Sequence, residues 1–284
     1  MPIVPPGNLT YTRPSDIVTA EATWAVNSGT ISSDPDYGLA SLYDGKMAKP
    51  TKFTDSPAVN VRIVGNFGSA RRIDGLALPN SKSIAAGTIM KAELNTVDSW
   101  ISPAVSVDMV MGSPYLDGHV ASPWASFLAA SGYSVSGYQY ASLLVPAGAA
   151  APWLGELLVL AQLRTFSQWP GFSGTKGRTH PFLENIYTEY GQRRVVRRLI
   201  KQRRIDYPIK GSDQDVEDLQ ALADDCGGVS TPFFLAADGN VKIDGGLYGR
   251  LDPGLVASLM NPEEWFNVNG LTISFEEDSR SLPM

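Results

Sequence analysis

The chain has 284 residues, 43% hydrophobic and only 18% charged, with 27 glycines and 20 prolines, a balance that excludes wholesale disorder and leaves room for two domains of ordinary size. A net charge of −6 argues against a generic nucleic-acid binder held by phosphate contacts. The single cysteine, Cys226, excludes an internal disulfide framework, and two histidines, His119 and His180, leave little material for imidazole chemistry.

The first half reads as short strands. Val59-Asn60-Val61-Arg62-Ile63 alternates with period two, which puts Val59, Val61 and Ile63 on one buried face. Asn66–Ala70 is a turn candidate, after which Arg72–Leu78 resumes an extended run that stops at Pro79-Asn80. Turn pairs recur at Asp44-Gly45, Asp117-Gly118 and Ser131-Gly132, as in a β-sandwich. Between Gly118 and Gly155 there is no Asp, Glu, Lys or Arg. Such a run either lines the core of the domain, the favoured reading, or is covered by neighbouring chains. The most apolar stretch, 141–163, is interrupted by Pro146, Pro152, Glu156 and Gln162, so no membrane span is expected. The opening residues have neither a basic nor an apolar segment of signal-peptide type, so a soluble protein made without an export signal is expected. Gly155–Leu160 closes this half as a buried strand.

Gln168–Gly177 is rich in breakers and marks the boundary between a first domain, residues 1–163, and a second, 164–284. Seven of the twelve residues 193–204 are basic. Their apolar pairs recur every four residues, as in a helix, yet Ile205–Ile209 looks extended, so a helix and a pair of strands both stay open. A helix is clearer after Ser212. This N-cap is followed by Asp213, Asp215, Glu217 and Asp218, an apolar stripe of Val216, Leu219, Leu222, Ala223 and Cys226, and a Gly227-Gly228 stop. Pro232–Ile243 reads as a hairpin and Leu271–Phe275 as a last alternating strand, which makes the second domain α+β.

Catalytic motifs fail one by one. Gly171–Thr175 lacks the last glycine of a nucleophile elbow, and Gly171–Gly177 lacks the residue order of a phosphate-binding loop. Asp238-Gly239-Asn240 with Asp244 supplies half a calcium loop and is better read as a turn. His119 and His180 have no second ligand at metal spacing, and Cys226 lies on the apolar stripe as a structural thiol. Glu276-Glu277-Asp278 are consecutive strand positions that cannot face one cleft together. Neither an enzyme, a metal nor a cofactor is expected. The unusual feature is the basic run Arg193, Arg194, Arg197, Arg198, Lys201, Arg203 and Arg204. It is either a solvated face or an intersubunit electrostatic contact complementary to Asp213, Asp215, Glu217 and Asp218; a nucleic-acid surface is less favoured because base-stacking aromatics are not interleaved.

Leu42-Tyr43-Asp44-Gly45, Thr51-Lys52-Phe53, Val59–Ile63 and Gly68–Asn80 together resemble a discoidin-like (galactose-binding-like) jelly roll of the kind found in tail proteins of tailed bacteriophages. Thr188–Arg194, Cys226-Gly227-Gly228, Pro232–Leu235, and Trp265 with Gly270–Glu277 resemble distal-tail proteins, although those carry their two modules in the opposite order. The resemblance implies a mainly β chain: a jelly-roll sandwich followed by a tail-tube-like α+β domain with one helix. It further implies a structural virion protein made in the host cytoplasm, forming a closed, expected sixfold, ring with other tail proteins (tube and hub) as partners. The alternative is a host-surface carbohydrate-binding module, with Trp100, Tyr115 or Trp124 stacking on sugar faces.

Overall fold

The computed structural model describes residues 9–31, 37–44, 50–53, 57–79, 81, 87–110, 123–149, 152–166, 175–179, 183–187, 193–197, 202–209, 213–228, 230–237, 246–251 and 271–277. The chain is mainly β and divides into two compact units, residues 1–166 with 233–247, and 167–232 with 248–284.

The first unit is built on antiparallel strands. They are β1 (Leu9–Thr12), β2 (Thr23–Ser28), β3 (Thr51–Lys52), β4 (Val61–Arg71), β5 (Gly75–Ala77), β6 (Ile89–Asn95), β7 (Val105–Val110), β8 (Trp124–Ser126), β9 (Tyr138–Val145), β10 (Trp153–Leu154), β11 (Leu158–Leu160) and β12 (Arg164–Thr165). One sheet runs β2-β4-β9-β6-β7, and a smaller one runs β11-β5-β8. Alternation sorts the larger sheet's side chains. Val61, Ile63 and Phe67 of β4, Met90, Ala92 and Leu94 of β6, and Ala141, Leu143 and Val145 of β9 point inward and join Leu76, Phe127 and Val159 in one core. The charge-free run therefore feeds the core of its own unit, with Trp124, Ala125, Phe127, Tyr138 and Leu154 all buried.

Two details of β4 depart from the sequence reading. Val59 is 58% exposed because the strand begins only at Val61. Residues 66–70 are not a turn: the strand continues through them, with Gly68 at φ +73° and a shift of register against β9 between Asn66 and Arg71. A bulge there accommodates the extra residues and the left-handed glycine that had suggested a turn. Gly65 lies directly under Trp24, where a Cβ would meet ring carbons at 2.7–2.9 Å.

Beyond β12 the chain forms β13 (Thr175–Thr179), β14 (Leu183–Tyr187), β15 (Arg193–Arg197), β16 (Gln202–Ile209) and helix α1 (Asp213–Asp225). The described parts of the basic run, 193–197 and 202–204, thus lie on two strands. Cross-strand pairing to β14, and to β13 and the last strand, outweighs the four-residue apolar spacing. Helix α1 buries Leu219, Leu222 and Ala223, and Cys226 is buried directly after it. Its carbonyls close through Gly228 N–H to Ala223 O (2.9 Å) and Gly227 N–H to Asp224 O (2.9 Å), with Gly227 at φ +57° and Gly228 at +73°. The N-cap Ser212 lies outside the described residues.

Next, β17 (Phe233–Ala237) pairs with β1 in the first unit, burying Phe233, Phe234, Leu235 and Ala236. The sequence reading had carried the second domain through this segment; the remainder of its hairpin, 238–243, lies outside the described residues. The last residues of β18 (Gly246–Leu251), which belong to the second unit, pair with β19 (Leu271–Glu277), and β19 with β16.

Candidate functional site

The outer face of the larger sheet carries the chemistry. Strand register sets Arg62, Leu144, Lys91 and Asp108 in one row, Val64, Ser142, Glu93 and Ser106 in the next, and Asn66, Tyr140 and Asn95 in a third. Arg62 reaches diagonally across β9, its Nη2 donating to Glu93 Oε2 at 2.9 Å, and Ser142 Oγ donates to the same oxygen at 3.0 Å. Glu93 is only 3% exposed, so both partners hold a carboxylate that water barely reaches. At the third row, Gln139 Nε2 donates to Asn66 Oδ1 (3.3 Å), which also accepts from the Gly68 amide (2.8 Å).

The β6–β7 loop folds over this face. Thr96 N–H donates to Asn95 Oδ1 (2.9 Å), Asn95 Nδ2 to Ser99 O (2.5 Å) and Ser99 N–H to Val97 O (2.8 Å). These bonds deliver Trp100 to the Arg62 guanidinium, whose Cζ sits 5.3 Å from the ring centroid. The indole N–H is taken by Asp98 Oδ1 at 2.8 Å. Trp100 is half-buried: one side rests on Arg62, and ring surface remains open to solvent.

The other named aromatics fare differently. Trp124 is buried in β8, its ring 5.7 Å from that of Phe234 and tilted by 59°, so it offers no face to a sugar and leaves the candidate set. Tyr115 lies outside the described residues, as do His119, His180, Arg198, Lys201 and all of 167–174. Arg193, Arg194 and Arg197 lie on β15; Arg203 and Arg204 lie on β16. Register sets Glu276 of β19 between Arg204 and Arg250, a cross-strand placement within the chain that spacing alone did not show. On α1, Glu217 is exposed, Asp218 half-buried and hydrogen-bonded by Gln214 (3.3 Å). Asp215 is 2% exposed, which withdraws it from any surface contact; the Asp213 side chain is outside the described set.

Two further polar centres are structural. Asp74, fully buried, accepts from Arg72 Nε (2.7 Å) and Nη2 (2.6 Å), from the Leu163 amide (3.0 Å) and from the Tyr133 hydroxyl. Burial and the hydrogen bond to Asp74 push the Tyr133 hydroxyl well above the ordinary phenol value, and the same carboxylate raises Arg72. Cys226 is buried, and desolvation with the nearby Asp225 pushes its thiol up to about 12, as suits an inert thiol. Among the described residues no cluster of three His, Cys, Asp or Glu could hold a metal, and no helix is long and apolar enough to cross a membrane.

No protein-family model matches the chain. No curated protein matches it either. Among solved structures, a Ruminococcus gnavus GH29 fucosidase mutant in complex with fucose is similar over 53% of this chain at 13% identity and a TM-score of 0.39. The match covers 27% of the fucosidase, so the chain spans about a quarter of that enzyme. Chitosan-binding module 1 of a Paenibacillus sp. IK-5 chitosanase/glucanase matches over 50% of this chain and 97% of its own, at 14% identity and a TM-score of 0.34. A family 32 carbohydrate-binding module of C. perfringens NanJ, in complex with galactose, matches over 55% and 99%, at 17% identity and a TM-score of 0.34.

Proposed function

We propose that the first unit is a saccharide-binding module that grips its ligand on Trp100 and makes or breaks no bond in it. The observation that carries this reading is the mounting of Trp100. Its N–H is satisfied by Asp98 and its ring is backed by Arg62, so the open ring surface is held in one orientation beside hydrogen-bonding groups. A pyranose has a C–H-lined face and a rim of hydroxyls, and an aromatic platform next to fixed polar groups complements both. Arg62, Glu93 and Ser142 set the platform; Asn66, Gln139 and Tyr140, none of them fully buried, supply donors and acceptors along the same face. A glycan array probed with the full chain tests the reading. Selective binding lost in Trp100→Ala, with the circular dichroism spectrum kept, supports it; a blank array with the wild-type chain overturns it.

A second reading concerns the other unit. Among the described residues β14 and β15 pair only with each other, and this ribbon carries three arginines in five residues. A basic ribbon with unpaired edges suits a head-to-tail contact that closes on rotation. It supports a ring-forming virion tail subunit. Electron microscopy of virions labelled on this chain should then show it as a ring in the tail; its absence from virions would reject the assignment.

A further inference from the structure

The loop that mounts Trp100 also holds two apolar side chains out in water. Ile101 is 99% exposed and Val97 57%, the first adjacent to Trp100 in the chain and the second three residues before it. Single exposed aliphatics are common and call for no explanation. This pair is different because the segment is fixed: the bonds Thr96 N–H to Asn95, Asn95 to Ser99 and Ser99 N–H to Val97 tie the loop at 2.5–2.9 Å, and Asp98 is engaged by the indole. The two aliphatics therefore flank Trp100 in the chain, on a loop that is already tied, and little conformational entropy is lost in using them. The end of this loop is also closely packed. Gly132, at φ +82°, brings the loop before β9 so close to the end of the β6–β7 loop that a Cβ would meet Ala104 O at 2.7 Å.

From this we infer that the site selects saccharides carrying a methyl group, an N-acetyl or a 6-deoxy substituent, which packs on Ile101 and Val97 while the ring stacks on Trp100. The inference rests on the saccharide-binding reading and adds the class of sugar. The unsubstituted parent can use the same platform but leaves both aliphatics in water. Removing about one methyl's worth of apolar surface from water is worth about fourfold in affinity.

The experiment is an NMR titration of the full chain, following the Trp100 indole N–H signal, assigned by its loss in Trp100→Phe. The ligands are N-acetylglucosamine and 6-deoxyglucose against glucose, and N-acetylgalactosamine and 6-deoxygalactose against galactose. In at least one series a methyl-bearing sugar should bind about fourfold tighter than its parent, and Ile101→Ser should reduce that ratio to about one. The N-acetyl and 6-deoxy arms report separately which substituent is taken. Equal affinity for parent and substituted sugars, with the indole signal moving in both, overturns this inference and leaves the saccharide reading standing. An unmoved indole signal with every sugar overturns both.

Discussion

Asp74 illustrates how one side chain can secure several segments. Its carboxylate joins the stretch between β4 and β5 to the loop before β9 and to the approach of β12, through Arg72, Tyr133 and the Leu163 amide. Replacing it by Asn keeps the shape but removes the charge that four donors address, and it leaves Arg72 facing a neutral amide. Loss of one partner of a buried ion pair costs about 3–5 kcal/mol, and because the Arg72 side chain is 39% exposed the lower end applies. Asp74→Asn should therefore lower the urea unfolding free energy by about 3 kcal/mol, whereas Tyr133→Phe, which deletes one hydrogen bond, should cost about 1 kcal/mol. Cys226 makes a pH prediction. Its thiol is raised from 9.0 to about 12 in the folded chain, so the native state keeps a proton that the unfolded state gives up. The associated stability is complete below pH 9 and drains away as pH rises towards 12, at a limiting slope of about 1.4 kcal/mol per pH unit. Melting temperatures measured from pH 8.5 to 11 should fall more steeply for the wild type than for Cys226→Ala; parallel curves would show that the thiol does not titrate across folding.

At the level of elements, β4 is governed by two glycines with different roles. Gly65 has no room, since a Cβ would press on the Trp24 ring at 2.7–2.9 Å, and Trp24 is itself fixed by its N–H to Thr19 O at 2.9 Å. Gly68 has space but a left-handed backbone at φ +73°. Gly65→Ala should thus cost about 1–3 kcal/mol and alter the near-ultraviolet tryptophan signal, while Gly68→Ala should cost about 1–2 kcal/mol and leave that signal unchanged. The contrast also marks where sequence was readable. Period-two alternation locates Val61 and Ile63, and the apolar stripe with its glycine stop locates α1, because these signals are local. The bulge at 66–71 was misread as a turn because Asn-Phe-Gly-Ser suits either, and only pairing with β9 decides. The basic run is undecidable from spacing for a similar reason: what makes 193–197 and 202–204 strands is register with β14, β13 and β19. The site divides in the same way. Trp100 could be named as an aromatic candidate, but its mounting could not, since Arg62 meets Glu93 across 31 residues and Ser142 meets Glu93 across 49. Trp124 was named for its type, and the tilted packing on Phe234 that removes it joins β8 to a residue far along the chain.

For the whole molecule, the two proposed activities draw on different forces, and salt should separate them. Stacking on Trp100 and hydrogen bonding to neutral groups involve no net charge transfer, so affinity for an uncharged sugar should be insensitive to ionic strength. Contacts made by the basic ribbon are Coulombic, and the Debye length falls from about 10 Å at 0.1 M to about 3 Å at 1 M salt. Within a chain of net charge −6, arginines at 193, 194 and 197 find complementary surface on any sibling that presents its acidic residues, so the unscreened condition favours association. Sedimentation velocity of the full chain should accordingly show an oligomer at 0.1 M salt that dissociates at 1 M. Arg193→Glu combined with Arg194→Glu should abolish it at both, while the Trp100-dependent sugar affinity stays within about twofold throughout. An oligomer that persists at 1 M salt would move the contact from charge to apolar burial. A sugar affinity that falls with salt would mean that Arg62 meets an anionic ligand directly instead of backing the ring.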